Sequence, residues 1–236
     1  MFLGHFAAGL GAKALAPRVP LGTLFLAAQL LDLAWPTLLL LGVERVQIAP
    51  GITAVTPLDF EEYPVTHSLL AALFWASAFG VAYHALRKHP RGAAVLGALV
   101  VSHWLLDLIA HRPDLPLYPG SEEFGFGLWN SVGWTMAVEL ALFAAGAAVY
   151  LKHTRAIDRT GAWALWGLLA FLVLVQVANV FGPPPPSEAA VAWVGHAQWL
   201  LVLWGYWIDQ HRTEKGSEQF STSSAPLEHG ANGKLL

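Results

Sequence analysis

Apolar residues fall in blocks of about twenty along this chain, and the polar positions between blocks cluster with prolines, glycines and charges. Blocks at 20–42, 65–86, 92–111, 128–151, 162–181 and 190–209 each approach the ~20 residues a helix needs to cross a hydrocarbon core. Their ends are well marked. Pro20, Pro64, Pro90 and the run Pro183 to Pro186 start or stop helices, while Trp35, Trp75, Trp129, Trp193 and Trp207 suit interfaces or packing. A shorter apolar segment, 2–16, predicts a half-membrane or interfacial helix packed on the rest. The pattern therefore predicts an all-α fold, a polytopic helical membrane bundle of six transmembrane helices plus a short N-terminal apolar helix, over residues 1–212. Residues 213–236, rich in Ser, Gly, Glu and Asn, carry too little apolar surface to order themselves and are expected to form a disordered cytoplasmic tail.

Composition sharpens this picture. Hydrophobic residues make up 56% of the chain and charged residues 12%, against ~25% charged in soluble domains. Mean hydropathy is +0.50. The chain has no cysteine, so any metal must be held by imidazole and carboxylate. A net charge of −3 and the lack of a basic face with interleaved aromatics exclude nucleic acid as a partner and leave membrane lipids. The first twenty residues have no basic n-region and no small-residue cleavage site, and are expected to stay in the mature chain. Of the thirteen Lys and Arg residues, eleven fall on alternate connections, at 13–18, 87–91, 152–159 and from 212 onward. Those connections are expected to be cytoplasmic, and those holding Glu61, Glu62, Glu122 and Glu123 to face outward. The location implied is an integral position in a membrane, with the C-terminus cytoplasmic.

Against this apolar background His103, Asp107 and His111 stand four residues apart, which places all three on one stripe of a helix. An ionisable group at membrane depth costs roughly 2.5–3.5 kcal/mol, so the stripe calls for a compensating metal ion or polar cavity. Asp32 and His67 sit in or at the start of other apolar blocks. With ~1.5 Å rise per residue, Asp32, His103 and Glu139 all come out near ~18–20 Å from the basic side. His5 and His196 fall at similar height if their segments are helical and bundled, and Asp107, His111 and His67 lie further outward. Histidine and carboxylate together suit zinc, with manganese or iron as alternatives. Gln29, one turn before Asp32, is expected to support it.

At Gly4-His5, Asp32, Thr66-His67-Ser68 and His103-x3-Asp107, in that order, the chain resembles the family of inner-membrane-associated metal-dependent hydrolases described as LexA-binding, itself distantly like zinc-dependent phospholipase C. The resemblance covers about residues 1–120. It implies Asp32, His67, His103 and Asp107 as metal ligands, with His5 contributing to the same or a second metal. Two features depart from the family: Leu33-Ala34-Trp35 lacks a second acid after the first, and Tyr63-Pro64-Val65 lacks an Arg before Thr66. Together these lead to the expectation of a metal-dependent hydrolase acting on a phospholipid or another lipid-linked phosphoester, with His5, His111 or Glu139 moving the proton. Two other classes fit the same polar layer: a proton- or ion-coupled transporter, and a membrane scaffold or regulator with a vestigial site. Simpler roles are a polar seam between helices for the His/Asp stripe, a helix cap for His67 with Thr66, and a hydrogen bond from Thr135 to Glu139. For His196 the simple role is a bond to Gln176 or Asn179.

Overall fold

The computed structural model of the protein describes residues 1–215, and what it describes is mostly helical. Four helices are long and apolar enough to cross a membrane: α5 (Leu69–Arg87), α6 (Pro90–Ala110), α7 (Val132–His153) and α8 (Arg159–Phe181). Their starts follow local chemistry. The side chains of Ser68, Ser131 and Asp158 accept from the backbone N–H of Ala71, Trp134 and Gly161, and Pro90 opens α6, where its missing N–H is not needed. Leu70, Leu73, Phe74 and Val81 of α5 are exposed, as expected of a helix that faces lipid on most of its circumference.

The other two apolar blocks are broken. The first divides into α2 (Leu21–Ala28) and α3 (Leu30–Leu40), which meet at 55°. The break falls at Gln29, whose φ of −107° and ψ of 7° leave the helical range. The last divides at Ala197 into α9 (Glu188–His196) and α10 (Gln198–Gln210). Counting the bent α2–α3 pair as one span, the described residues hold up to five candidate crossings where the apolar pattern predicts six.

Three two-stranded antiparallel ribbons complete the fold: β1 (Arg45–Ile48) with β2 (Leu58–Glu62), β3 (Leu115–Pro116) with β4 (Glu123–Phe124), and β5 (Thr154–Ala156) with β6 (Arg212–Glu214). The all-α expectation omits them because the strands are only two to five residues long, too short for an alternating pattern to show, and β5 with β6 joins segments more than fifty residues apart. The last ribbon also moves the start of the predicted tail. Arg212 is buried, donates to Thr154 Oγ1 at 3.0 Å and Gly161 O at 3.1 Å, and lies over the Tyr150 ring. These contacts hold 212–214 to the bundle, and the rest of the tail, from 216, lies outside the described residues.

The N-terminal helix α1 (Phe2–Gly11) is buried rather than exposed. Leu3, Phe6 and Leu10 are 0% exposed, and the helix packs among α2, α6 and α7 in the middle of the bundle. Its length, at ~1.5 Å per residue, is about half of what a membrane crossing needs. Small residues permit such close packing. A Cβ on Gly146 of α7 would lie 2.9 Å from Ala7 Cα, and one on Gly205 of α10 would lie 2.9 Å from Gly22 Cα. Gly205→Val is therefore expected to destabilise the bundle by ~1–3 kcal/mol or more, because backbone must move to admit the side chain. A lowered thermal midpoint in detergent reports it.

Candidate metal centre

Four elements bring the site together. The broken α2–α3 span turns Asp32 inward, the short helix α4 (Pro64–His67) delivers His67, α6 supplies His103 and Asp107, and α1 brings His5. His67 Nε2 lies 3.4 Å from Asp32 Oδ1 and 3.9 Å from Asp107 Oδ2. His103 Nε2 lies 3.6 Å from Asp32 Oδ1 and 3.1 Å from Asp107 Oδ2. The four residues thus present two imidazole nitrogens and two carboxylate oxygens around one point, and His5, His67, His103 and Asp107 are almost fully buried.

The other ring nitrogens decide what these atoms carry. His103 Nδ1 is 2.8 Å from Ala28 O. A carbonyl only accepts, so Nδ1 holds a proton, and in the neutral ring, the form that ligates a metal, Nε2 presents a lone pair. His67 Nδ1 is 2.7 Å from Thr66 Oγ1, and that hydroxyl gives its proton to Glu44 Oε2 at 2.8 Å. His67 Nδ1 is therefore also a donor, and its Nε2 also a lone pair. The face common to His67, His103, Asp32 and Asp107 consists of acceptors alone, and His103 Nε2 has no hydrogen-bond partner there. The Met1 ammonium lies against Asp107 Oδ1 on the other side, and the face formed by Asp32, His67, His103 and Asp107 Oδ2 suits a further cation. Asp32, His67 and His103 present ligand atoms close enough together to hold a metal ion, and His5, His103 and Asp107 form a second such triad that shares His103.

Glu44 is a site residue that the sequence pattern does not reveal. It is buried, accepts from the backbone N–H groups of Val65 and Thr66 at 2.9 Å each, and through Thr66 fixes the tautomer of His67. The three residues of Thr66-His67-Ser68 act separately, in that Thr66 relays to Glu44, His67 faces the cluster, and Ser68 caps α5. The helix cap considered for His67 with Thr66 belongs to Ser68. Glu44→Gln and Thr66→Val are each expected to weaken metal binding about 10–100-fold, as the loss of a partner that orients a ligand does. Occupancy should return at high metal concentration, and competition with a chromophoric chelator measures both.

On the far side of Asp107 a second set converges. His5 Nε2 lies 3.1 Å from Asp107 Oδ1 and 3.2 Å from the α-amino group of Met1, which itself contacts that oxygen. The His5 ring stacks on His103 with centroids 3.6 Å apart. His111 Nε2 stands 3.9 Å from Asp107 Oδ1, while its Nδ1 lies 2.9 Å from Asp114 Oδ1. Tyr63 donates to Asp114 as well, and burial, reinforced by the Asp114 carboxylate, raises the Tyr63 pKa well above the ordinary phenol value, so it stays a donor. Trp129, its ring centroid 4.2 Å from that of His111, closes this edge.

Several expected contacts are replaced. Glu139 accepts from Leu3 N at 2.6 Å, while Thr135 turns to Leu128 O at 2.9 Å. Glu139 thereby holds the first turn of α1, whose N–H groups have no helical acceptor of their own. Gln29 does not support Asp32: it is buried with both amide atoms unpartnered, because the break in the span turns it aside. His196 bonds Thr37 Oγ1 at 3.1 Å rather than Gln176 or Asn179, since α9 packs on α3 and Gly195 lets Pro36 come close.

The cluster opens into a cavity of about 930 Å³ whose wall includes Asp32, His67, Asp107, His111 and Glu139. His5 is not part of that wall. Comparison of the chain with protein-family models, curated proteins and solved structures finds no match.

Proposed function

We propose that this protein is a membrane-embedded, metal-dependent hydrolase of the inner-membrane-associated, LexA-binding type, acting on a phospholipid or another lipid-linked phosphoester. The observation that carries the proposal is the convergence of Asp32, His67, His103 and Asp107, with an outer partner accepting from Nδ1 of each histidine and with Asp32, His67 and Asp107 open to a largely apolar cavity. Two nitrogens and two oxygens suit zinc first, then manganese or iron. Bound there, zinc would bring the pKa of a coordinated water toward ~7 and polarise a phosphoryl oxygen.

The protein's own groups divide the remaining work. His111 lines the cavity with its Nδ1 committed to Asp114, which leaves Nε2 to take a proton and return it to a leaving oxygen. His5 is buried behind His103 and steadies Asp107, and Glu139 anchors α1 against the same carboxylate. These two are positioning residues in this reading. An ion path has less support, because among the described residues no charged side chain lines the cavity apart from the cluster and Glu139. In the bilayer we read α2–α3 as one bent crossing and α9–α10 as the sixth, with the basic connections cytoplasmic and the site end periplasmic in the bacterial inner membrane.

The test is turnover of a lipid phosphodiester in mixed micelles by zinc-loaded protein. His111→Ala is expected to slow hydrolysis about 10²–10⁴-fold while the metal content is retained. Metal-loaded protein that hydrolyses no lipid phosphoester would overturn the reading.

A further inference from the structure

The cavity does not end at the cluster. From Asp32 and His67 it continues between α8 and the α9–α10 pair, past Val175, Val191, Val194 and Leu201, under the run Pro183 to Pro186. The helices on its two sides are held by different neighbours: α8 packs on α10 and α1, whereas α9 packs on α3, and α8 and α9 share no comparable packing. The four consecutive prolines between them fix φ at each step and keep the two helix ends apart. Beside this gap Leu174, Phe181 and Val194 are 67%, 67% and 72% exposed, on helices whose apolar surface suits lipid. The polar side chains in this part of the wall, Gln176, Asn179 and Gln198, are uncharged amides.

We propose that the gap between α8 and α9, beyond the part of α8 on which α10 packs, is a hydrocarbon-binding corridor, through which the chain of a phosphoester lipid enters sideways from the bilayer and lies with its head group at the His/Asp cluster. This rests on the hydrolase reading above and adds to it the place where the chain binds. Three features favour one occupant. The space is polar and carboxylate-rich at one end and apolar along the rest, which matches an amphiphile end to end. It is flanked by lipid-facing helices, so an acyl or alkyl chain reaches it without crossing water. Its uncharged amides suit the ester or ether linkage that joins head to chain, and beyond the cluster and Glu139 the wall carries no charged side chain to stabilise a bare ion.

The test uses full-length protein in nanodiscs with zinc, and hexadecyl phosphate carrying a diazirine at the end of its chain. Photolysis should place adducts on residues of 171–204, and unlabelled hexadecyl phosphate should compete while inorganic phosphate should not. Val191→Trp and, as a second variant, Val175→Trp should each reduce these adducts about tenfold or more with metal content unchanged, since expelling about two methylenes from an apolar site removes that much binding. Adducts there without any hydrolysis would sustain the corridor and reject the hydrolase reading. Adducts spread over the lipid-facing surface of α5, or competition by inorganic phosphate alone, would overturn the corridor even if hydrolysis is observed.

Discussion

Replacing Asp107 by Asn is expected to lower the metal content of the purified protein from about one ion per chain to below ~0.2, because binding depends on a deprotonated ligand set. Asp107 is the residue through which both halves of the site meet. Its Oδ2 faces His103 at 3.1 Å and His67 at 3.9 Å, and its Oδ1 faces His5 at 3.1 Å. An amide removes the charge and turns one acceptor into a donor pair aimed at a ring nitrogen that is itself a lone pair or at an ammonium group. His103→Ala and Asp32→Asn should have the same direction. If the four residues share one ion, chelation of the native protein and the Asp107→Asn substitution should lower the thermal midpoint by similar amounts, and the two together should not add. Full additivity would mean that the residues make separate polar contacts and hold no common ion.

The second large effect concerns sidedness. In intact cells an impermeant thiol reagent should label cysteine placed at Glu62 or Glu122, and should reach cysteine at Lys88 or Arg155 only after permeabilisation. The native chain has no cysteine to interfere. Glu62 ends β2 and Glu122 precedes β4, in the loops beside the cluster, whereas Lys88 closes α5 and Arg155 lies in β5 at the opposite end. The expectation follows from the bias of Lys and Arg toward the cytoplasmic side. The reverse labelling pattern would turn the cavity mouth toward the cytoplasm and remove access from the outer leaflet.

How far the sequence leads differs from residue to residue. The His103-x3-Asp107-x3-His111 stripe is legible because a helix brings every fourth residue onto one face, whatever surrounds it. Asp32, His103 and Glu139 fall into one layer on counting residues from the basic ends, since the rise per residue of a helix is constant, and His67 enters on the outer side of that layer. Glu44 is not legible. It lies in a loop, and its hydrogen bonds reach Val65 and Thr66 across more than twenty residues of chain. Gln29 misleads for a related reason: one turn before Asp32 is a neighbour only in an unbroken helix, and the break at Gln29 itself removes that neighbour.

The sequence by itself determined the helical, membrane-suited character of the chain, the shared helix face of His103, Asp107 and His111, and the ligand types open to a metal. Those properties follow from composition and local periodicity, which no distant contact alters. Only the tertiary structure decided that α1 is buried at the centre, that two apolar blocks break, and that Asp107 is shared between two clusters. It also decided that outer partners fix the tautomers of His67 and His103, and that the cavity runs on between α8 and α9. Each of these depends on which helix packs against which, and that choice rests on side-chain shape and close backbone approach at sites such as Gly146 and Gly205, summed over the whole bundle rather than written in any one segment.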